Sequence, residues 1–144
     1  MDDNEYEYEE DLDYPFVAET GGVTVRVCPM YLEDESDEDD NRYMWLYVVQ
    51  IENNSGVPLK LHTRQWKIVD AHGHVKEVNG TGVVGETPLM ESGEIFEYES
   101  TASLTTSSGF MGGSYEMSRP DGSRVKIIIP TFALDMPGEI HSLN

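Results

Sequence analysis

Cysteine occurs once in 144 residues, at Cys28. A single thiol excludes an internal disulfide, and its place in an apolar alternation marks a small buried residue rather than a nucleophile. No apolar run approaches the ~18 residues of a membrane-spanning helix, so no membrane contact is expected. Lys and Arg together number nine and form no run. Phosphate binding needs such clusters, which removes nucleic acid from the expected partners. The N-terminus has neither the basic start nor the apolar stretch of a signal peptide. A reducing, cytoplasmic location is the expectation these absences support. No stretch shows the apolar stripe of a long helix.

What is abundant is negative charge, and it is unevenly placed. The formal net charge is −19. Eight acids fall in the first thirteen residues and seven more in residues 33 to 40, leaving thirteen acids against nine bases elsewhere. The reading is an ordinary mildly acidic domain at 21–136 with an acidic loop at 33–41. An acidic tail precedes it at 1–20 and a short tail follows at 137–144. Blocks of like charge repel themselves and bury little, so disorder is expected for both acidic blocks, with solvation or docking of a basic partner as their uses. A chain this long can form its own core as one domain.

The body alternates with period two. Val23-Thr24-Val25-Arg26-Val27-Cys28 reads as a half-buried strand, and Pro29 suits an edge. The run from Arg42 to Glu52 reads as a long central strand, covered on both faces in its first half. Between Leu59 and Val69 the apolar phase shifts, and a bulge between His62 and Gln65 would restore it. Turn signals at Asn53-Asn54-Ser55-Gly56, Asp70-Ala71-His72-Gly73 and Pro120-Asp121-Gly122-Ser123 separate further strands. About eight short strands without helix indicate an all-β antiparallel sandwich. Trp45 and Trp66 are core residues on this reading.

Gly80-Thr81-Gly82-Val83-Val84-Gly85 spells a dinucleotide-loop pattern, but that pattern needs a strand before it and a helix after it. Glu86-Thr87-Pro88 follows instead, and Pro88 disfavours helix at Thr87. The loop therefore joins strands. Its glycines supply positive φ and close backbone approach, or its N–H groups form an anion-binding concavity. On the second reading Gly80, Gly82 and Gly85 would hold a pyrophosphate-bearing nucleotide, alone or through a metal, with Arg64 and Lys76 as charge partners. His72 and His74 fall short of the three or four ligands of a metal site, and the acidic loop lacks the glycine and distal glutamate of an EF-hand. No Ser, His and acid form a catalytic motif. Neither a resident metal nor a cofactor is expected.

From Tyr43 to Leu134 the chain resembles the ApaG family. The marks are Arg64-Gln65-Trp66, then Asp70 and Gly73, then Glu77-Val78, Gly80, Gly82-Val83-Val84-Gly85-Glu86 and Pro88-Leu89. Gly93-Glu94, Phe96, Tyr98 and Ser100 follow, then Gly109, Met111, Gly113, Tyr115 and Met117, and finally Ile129-Pro130, Phe132 and Leu134. The chain departs from the pattern at Thr101, where relatives tend to have glycine, and at Ser107-Ser108, where they tend to have a proline. Both departures are expected in a loop beside the glycine loop. The resemblance implies a fibronectin type III/immunoglobulin-like sandwich in a small cytoplasmic bacterial protein, with no enzymatic activity. The resemblance extends to related eukaryotic domains that are attached to F-box proteins and to a polymerase-interacting protein, where they look like protein-binding modules. The resemblance also links the chain loosely to magnesium or cobalt efflux and to nucleotide-polyphosphate metabolism. The first expectation is a non-enzymatic module that binds another protein; the alternative is a weak nucleotide binder at the glycine loop.

Overall fold

A computed structural model describes residues 12–137. The strands are β1 (Phe16–Thr20), β2 (Val23–Tyr31), β3 (Tyr43–Asn53), β4 (Leu59–Asp70), β5 (Val75–Thr81), β6 (Leu89–Met90), β7 (Ile95–Leu104), β8 (Ser108–Ser118) and β9 (Arg124–Asp135). They form two antiparallel sheets, one ordered β1-β2-β3-β7 and the other β5-β4-β8-β9, with β6 also paired to β4. The all-β sandwich is the expected fold. Period-two burial drives it: Val23, Val25 and Val27 of β2 are wholly buried, as are Val49 and Ile51 of β3. They pack on Leu61, Trp66, Tyr115, Ile127 and Phe132 of the facing sheet. Trp45 and Trp66 both lie in this core.

Several local expectations hold for physical reasons. The expected bulge is present but lies at the start of the expected interval: the β4–β8 register shifts between Leu61 and Thr63, so the extra residue is His62 and Thr63 is already out of phase with Leu61. That shift swaps the faces and turns Arg64 and Trp66 inward with Leu59 and Leu61. Pro29 lies beyond Val27, the last residue of β2 with a partner in β1, so its missing N–H interrupts no ladder on that flank. β3 is covered on both faces: Leu46 and Val48 are 2% and 0% exposed although they face away from the core.

Other expectations are corrected. Residues 16–20, placed in the acidic tail, form β1, and Phe16 packs on Phe132 with tilted rings whose centroids are 6.1 Å apart. The tail's residues 1–11, and 138–144 at the other end, lie outside the described residues. The acidic loop is not shapeless: Glu33–Glu35 and Glu38–Asp40 form 3-10 turns, and Asp37 and Arg42 exchange backbone hydrogen bonds at 2.7 and 2.9 Å. Cys28 is half-buried and faces outward, one residue out of phase with Val27. Burial, and then Asp13, push its thiol pKa up, away from nucleophilic character. Thr101 is not in a loop but pairs with Leu46 inside β7, and Ser108 opens β8.

The two long sides of the sandwich differ. On one, β1 and β2 pack against β9, and the Ile128 N–H donates to Thr20 Oγ1 at 3.1 Å. On the other, β7 and β5 are outer strands with no described strand between them. That open side holds the glycine loop.

Candidate functional site

The glycine loop leaves β5 where β4 bulges, and returns through β6. Each element of it has a steric or hydrogen-bonding reason. Gly80 is the one glycine of β5, paired with Arg64. A Cβ there would sit 2.7 Å from the Arg64 guanidinium carbon, so only glycine lets that side chain lie flat on the strand. Arg64 Nη1 donates to the carbonyls of Thr81 at 3.1 Å and Gly82 at 2.8 Å. Gly82 has φ +64°, and a Cβ there would meet the Glu86 carbonyl oxygen at 2.1 Å. Val83 turns inward and is wholly buried in the core. The loop is therefore a plug for the open side.

At the tip, Val83 and Glu86 exchange backbone hydrogen bonds, both at 2.8 Å. The two central residues, Val84 and Gly85, have φ +41° and +82°. This is a two-residue hairpin turn with both central φ positive, a geometry made for Asn-Gly. Valine there is strained, because a branched Cβ crowds the backbone at positive φ. Its side chain is 54% exposed, so no burial offsets the strain.

The loop's donors are mostly used internally. The N–H of Gly82 donates to the His62 carbonyl at 2.7 Å, and those of Val83 and Glu86 close the turn. An anion cradle needs successive free N–H groups, and here only Val84 and Gly85 present theirs at the tip without a partner among the described residues. Arg64 is drawn to carbonyls and away from that tip. Lys76 does not join them. It lies four residues before Gly80 on β5, about 13 Å along the strand. There it lines a cleft of about 330 Å³ with Arg42, Asp70, His74 and Leu104. The structure thus brings Gly80, Gly82, Gly85 and Arg64 together and places Lys76 elsewhere.

Behind Arg64 lies a polar cluster that sequence reasoning missed. Tyr47, Tyr98 and Tyr115 all point inward and are buried. The hydroxyls of Tyr98 and Tyr115 hydrogen-bond to each other. Burial raises the pKa of all three phenols; a hydrogen bond with Ser100 and the Arg64 charge partly offset this for Tyr47. The signals available were the inward parity of Tyr47, Tyr98 and Tyr115 on three strands and the place of Tyr98 and Tyr115 among the family marks.

His72 and His74 remain turn residues. The Asp70 carboxylate accepts the N–H groups of His72 and His74 at 2.8 and 3.0 Å, which holds its pKa down. Among the described residues no group of three or more His, Cys, Asp or Glu is placed to hold a metal ion. No helix of the described residues is long and apolar enough to cross a membrane.

The edge of β7 is the other feature of the open side. The Asn53 N–H donates to the Glu94 carbonyl at 3.0 Å. By the alternation of an antiparallel ladder, Phe96, Tyr98, Ser100, Ala102 and Leu104 bond to β3. Ile95, Glu97, Glu99, Thr101 and Ser103 then point their N–H and C=O groups at the free edge. No described strand pairs with that edge. It is ten residues long and contains no proline.

Comparison with known proteins follows the same outline. A family model described as the ApaG domain matches residues 33–119. "Protein ApaG" of Brucella canis is 48% identical over 129 residues, covering 90% of this chain and 99% of that protein. The Brucella abortus (strain S19) protein of that name is 47% identical over the same length and with the same coverage. Among solved structures, a putative ApaA protein from Bordetella pertussis is similar with TM-score 0.79 and 38% identity, over 81% of this chain and 95% of that one. A structural-genomics X-ray target is similar with TM-score 0.78 and 37% identity, over 85% and 93%.

Proposed function

This chain belongs to the ApaG family, and from that premise we propose that it is a non-catalytic module that binds another protein in extended form, added as a strand along β7. The observation that carries this reading is the row of outward backbone groups on β7 that no described strand pairs. Such a row is a template for strand addition, and natural proteins usually blunt it with a bulge, a proline or a cover. Among the described residues, β7 carries no proline, and what guards it is the pair Glu97 and Glu99, with Tyr14 on Glu97. The glycine loop supports this reading by its own construction, since it fills the open side beside β7 without extending the sheet.

The nucleotide reading of Gly80, Gly82 and Gly85 receives less support from the geometry. Their conformations are accounted for by Arg64, by the Glu86 carbonyl and by the hairpin turn. Links to cation efflux or nucleotide-polyphosphate metabolism have no residue in the described structure to rest on.

The test compares partners co-purified from cell extract by the wild type, Thr101→Pro and Gly85→Ala. The Thr101 N–H points at the free edge, so proline there removes no ladder bond. Partners lost only with Thr101→Pro, in a protein still folded by circular dichroism, are expected. Partners lost with Gly85→Ala and kept by Thr101→Pro would overturn the proposal in favour of the loop.

A further inference from the structure

The two flanks of β7 carry opposite charge. Its odd-numbered side chains lie on the outer face of the four-stranded sheet, and Glu97 and Glu99 stand there two residues apart. One oxygen of Glu99, Oε2, is buried with no hydrogen-bond partner among the described residues. A carboxylate oxygen withdrawn from water is costly until a donor meets it. On the inner flank the signs reverse. Phe96, Tyr98 and Leu104 line that flank; across the mouth lie Val78 and Arg64 near Tyr98, and Lys76 and Arg42 near Leu104, with the Asp70 carboxylate beside them already taken by the His72 and His74 N–H groups.

A strand laid along β7 continues both surfaces, because its side chains alternate between them. A positive side chain fits beside Glu97 and Glu99. The same charge one residue out of phase would face Arg64 and Lys76. Apolar side chains fit there, against Phe96 and Val78.

We infer that the occupant of the β7 edge is an extended protein segment in which basic and apolar residues alternate, the basic set lying against Glu97 and Glu99. This rests on the strand-addition reading above. A second copy of β7 is a poor occupant, since self-pairing brings these glutamates towards their own copies. The chain before β1 already holds part of the ground. The Tyr14 hydroxyl donates to Glu97 Oε2 at 2.5 Å, and Asp13 lies close enough to Cys28 to raise its pKa. Residues 12–15 thus cross the outer face as a strap, and a basic segment takes the place of the Tyr14 phenol at Glu97.

The probe is a fluorescein-labelled peptide of alternating Lys and Val, matched to the ten residues of β7. Its controls are a block peptide of the same composition, with all Lys preceding all Val, and an alternating Thr–Val peptide. Titrations run at physiological salt, where loose attraction to the acidic tail is screened. Fluorescence anisotropy is expected to show the alternating Lys–Val peptide about tenfold tighter than either control. Glu97→Gln with Glu99→Gln is expected to erase that preference, and Thr101→Pro to abolish binding of the alternating peptides in a folded protein. Equal binding of block and alternating Lys peptides would overturn the inference. If Lys–Val and Thr–Val peptides bind alike and both are lost with Thr101→Pro, the edge reading stands and the basic partner is wrong. If the Lys preference depends on Glu97 and Glu99 but survives Thr101→Pro, the edge reading itself fails.

Discussion

Along one long side of the sandwich β1 meets β9, and along the other β7 and β5 stand apart; the two sides are filled by different means. The closed side needs only period-two apolar side chains. Phe16 of β1 packs on Phe132 of β9, and the Phe132 ring carries that contact on to Tyr47 and Trp66 in the middle of the core, with centroid distances of 5.4 to 6.1 Å. Among the described residues the open side has no partner strand to supply such a face. It is filled by a loop that turns Val83 inward, by an arginine laid over a glycine, and by tyrosines that satisfy one another. A cluster of glycines that looks like a phosphate loop is, on this comparison, what closing an unpaired side of a sandwich requires. The same lack of a partner leaves β7 free to accept one.

The comparison can be broken from either side. Phe132→Ala, on the closed side, is expected to cost the most, about 3–5 kcal/mol, because it removes a buried ring that three other rings pack against. Urea unfolding measures it, and a cost under about 1 kcal/mol would show that the closed side is not the main core. On the open side, Gly82→Ala is expected to cost about 2–4 kcal/mol, from positive φ and from the clash with the Glu86 carbonyl. Gly85→Ala, with positive φ but open space around its Cβ, is expected to cost about 1 kcal/mol. Equal costs would mean that the loop is not wedged against itself.

The buried phenols sharpen the contrast through pH. Burial raises the pKa of Tyr98 and Tyr115 above the ordinary phenol value near 10. Their contribution to stability is therefore complete below about pH 10 and is lost as pH rises further, because the unfolded chain releases those protons first. A melting temperature that falls between pH 9 and 11 is expected, with these phenols ionising only on unfolding as seen at 295 nm. Tyr98→Phe removes one partner of the hydroxyl pair and should also lower stability at neutral pH, by about 1–2 kcal/mol. An effect as small as that of Gly85→Ala has the opposite sign. Val84→Asn creates Asn-Gly at the hairpin turn and is expected to raise stability by about 1 kcal/mol. No gain would mean that the turn carries no strain.

Much of the fold could be read from the sequence because it is local. Alternation in Val23–Val27 and in the Tyr43–Ile51 run specifies which faces are buried, and the phase slip after Leu61 marks the bulge. Non-local features could not be read so directly. β1 is short and exposed on alternate residues, and it exists because β2 and β9 offer it a place. β6 is two residues long and carries no pattern. Cys28 sits in an apolar run but faces the strap, which the chain before Phe16 reveals only once folded. At the site, the glycines were visible, and so was the face that Arg64 shares with Trp66. What the glycines accommodate was not, since the Arg64 guanidinium and the Glu86 carbonyl reach them through the fold. Lys76 is close to Gly80 in sequence yet distant along an extended strand, because each residue adds about 3.3 Å.

The most direct test of the open-edge account is residue-by-residue amide hydrogen exchange across β7, with and without the alternating Lys–Val peptide. The free protein should show slow exchange at Phe96, Tyr98, Ser100 and Ala102 and fast exchange at Glu97, Glu99, Thr101 and Ser103. The peptide should slow the second set while leaving Val84 and Gly85 unchanged. Protection of all eight amides in the free protein, or protection that arrives at Val84 and Gly85 instead of β7, would contradict the account.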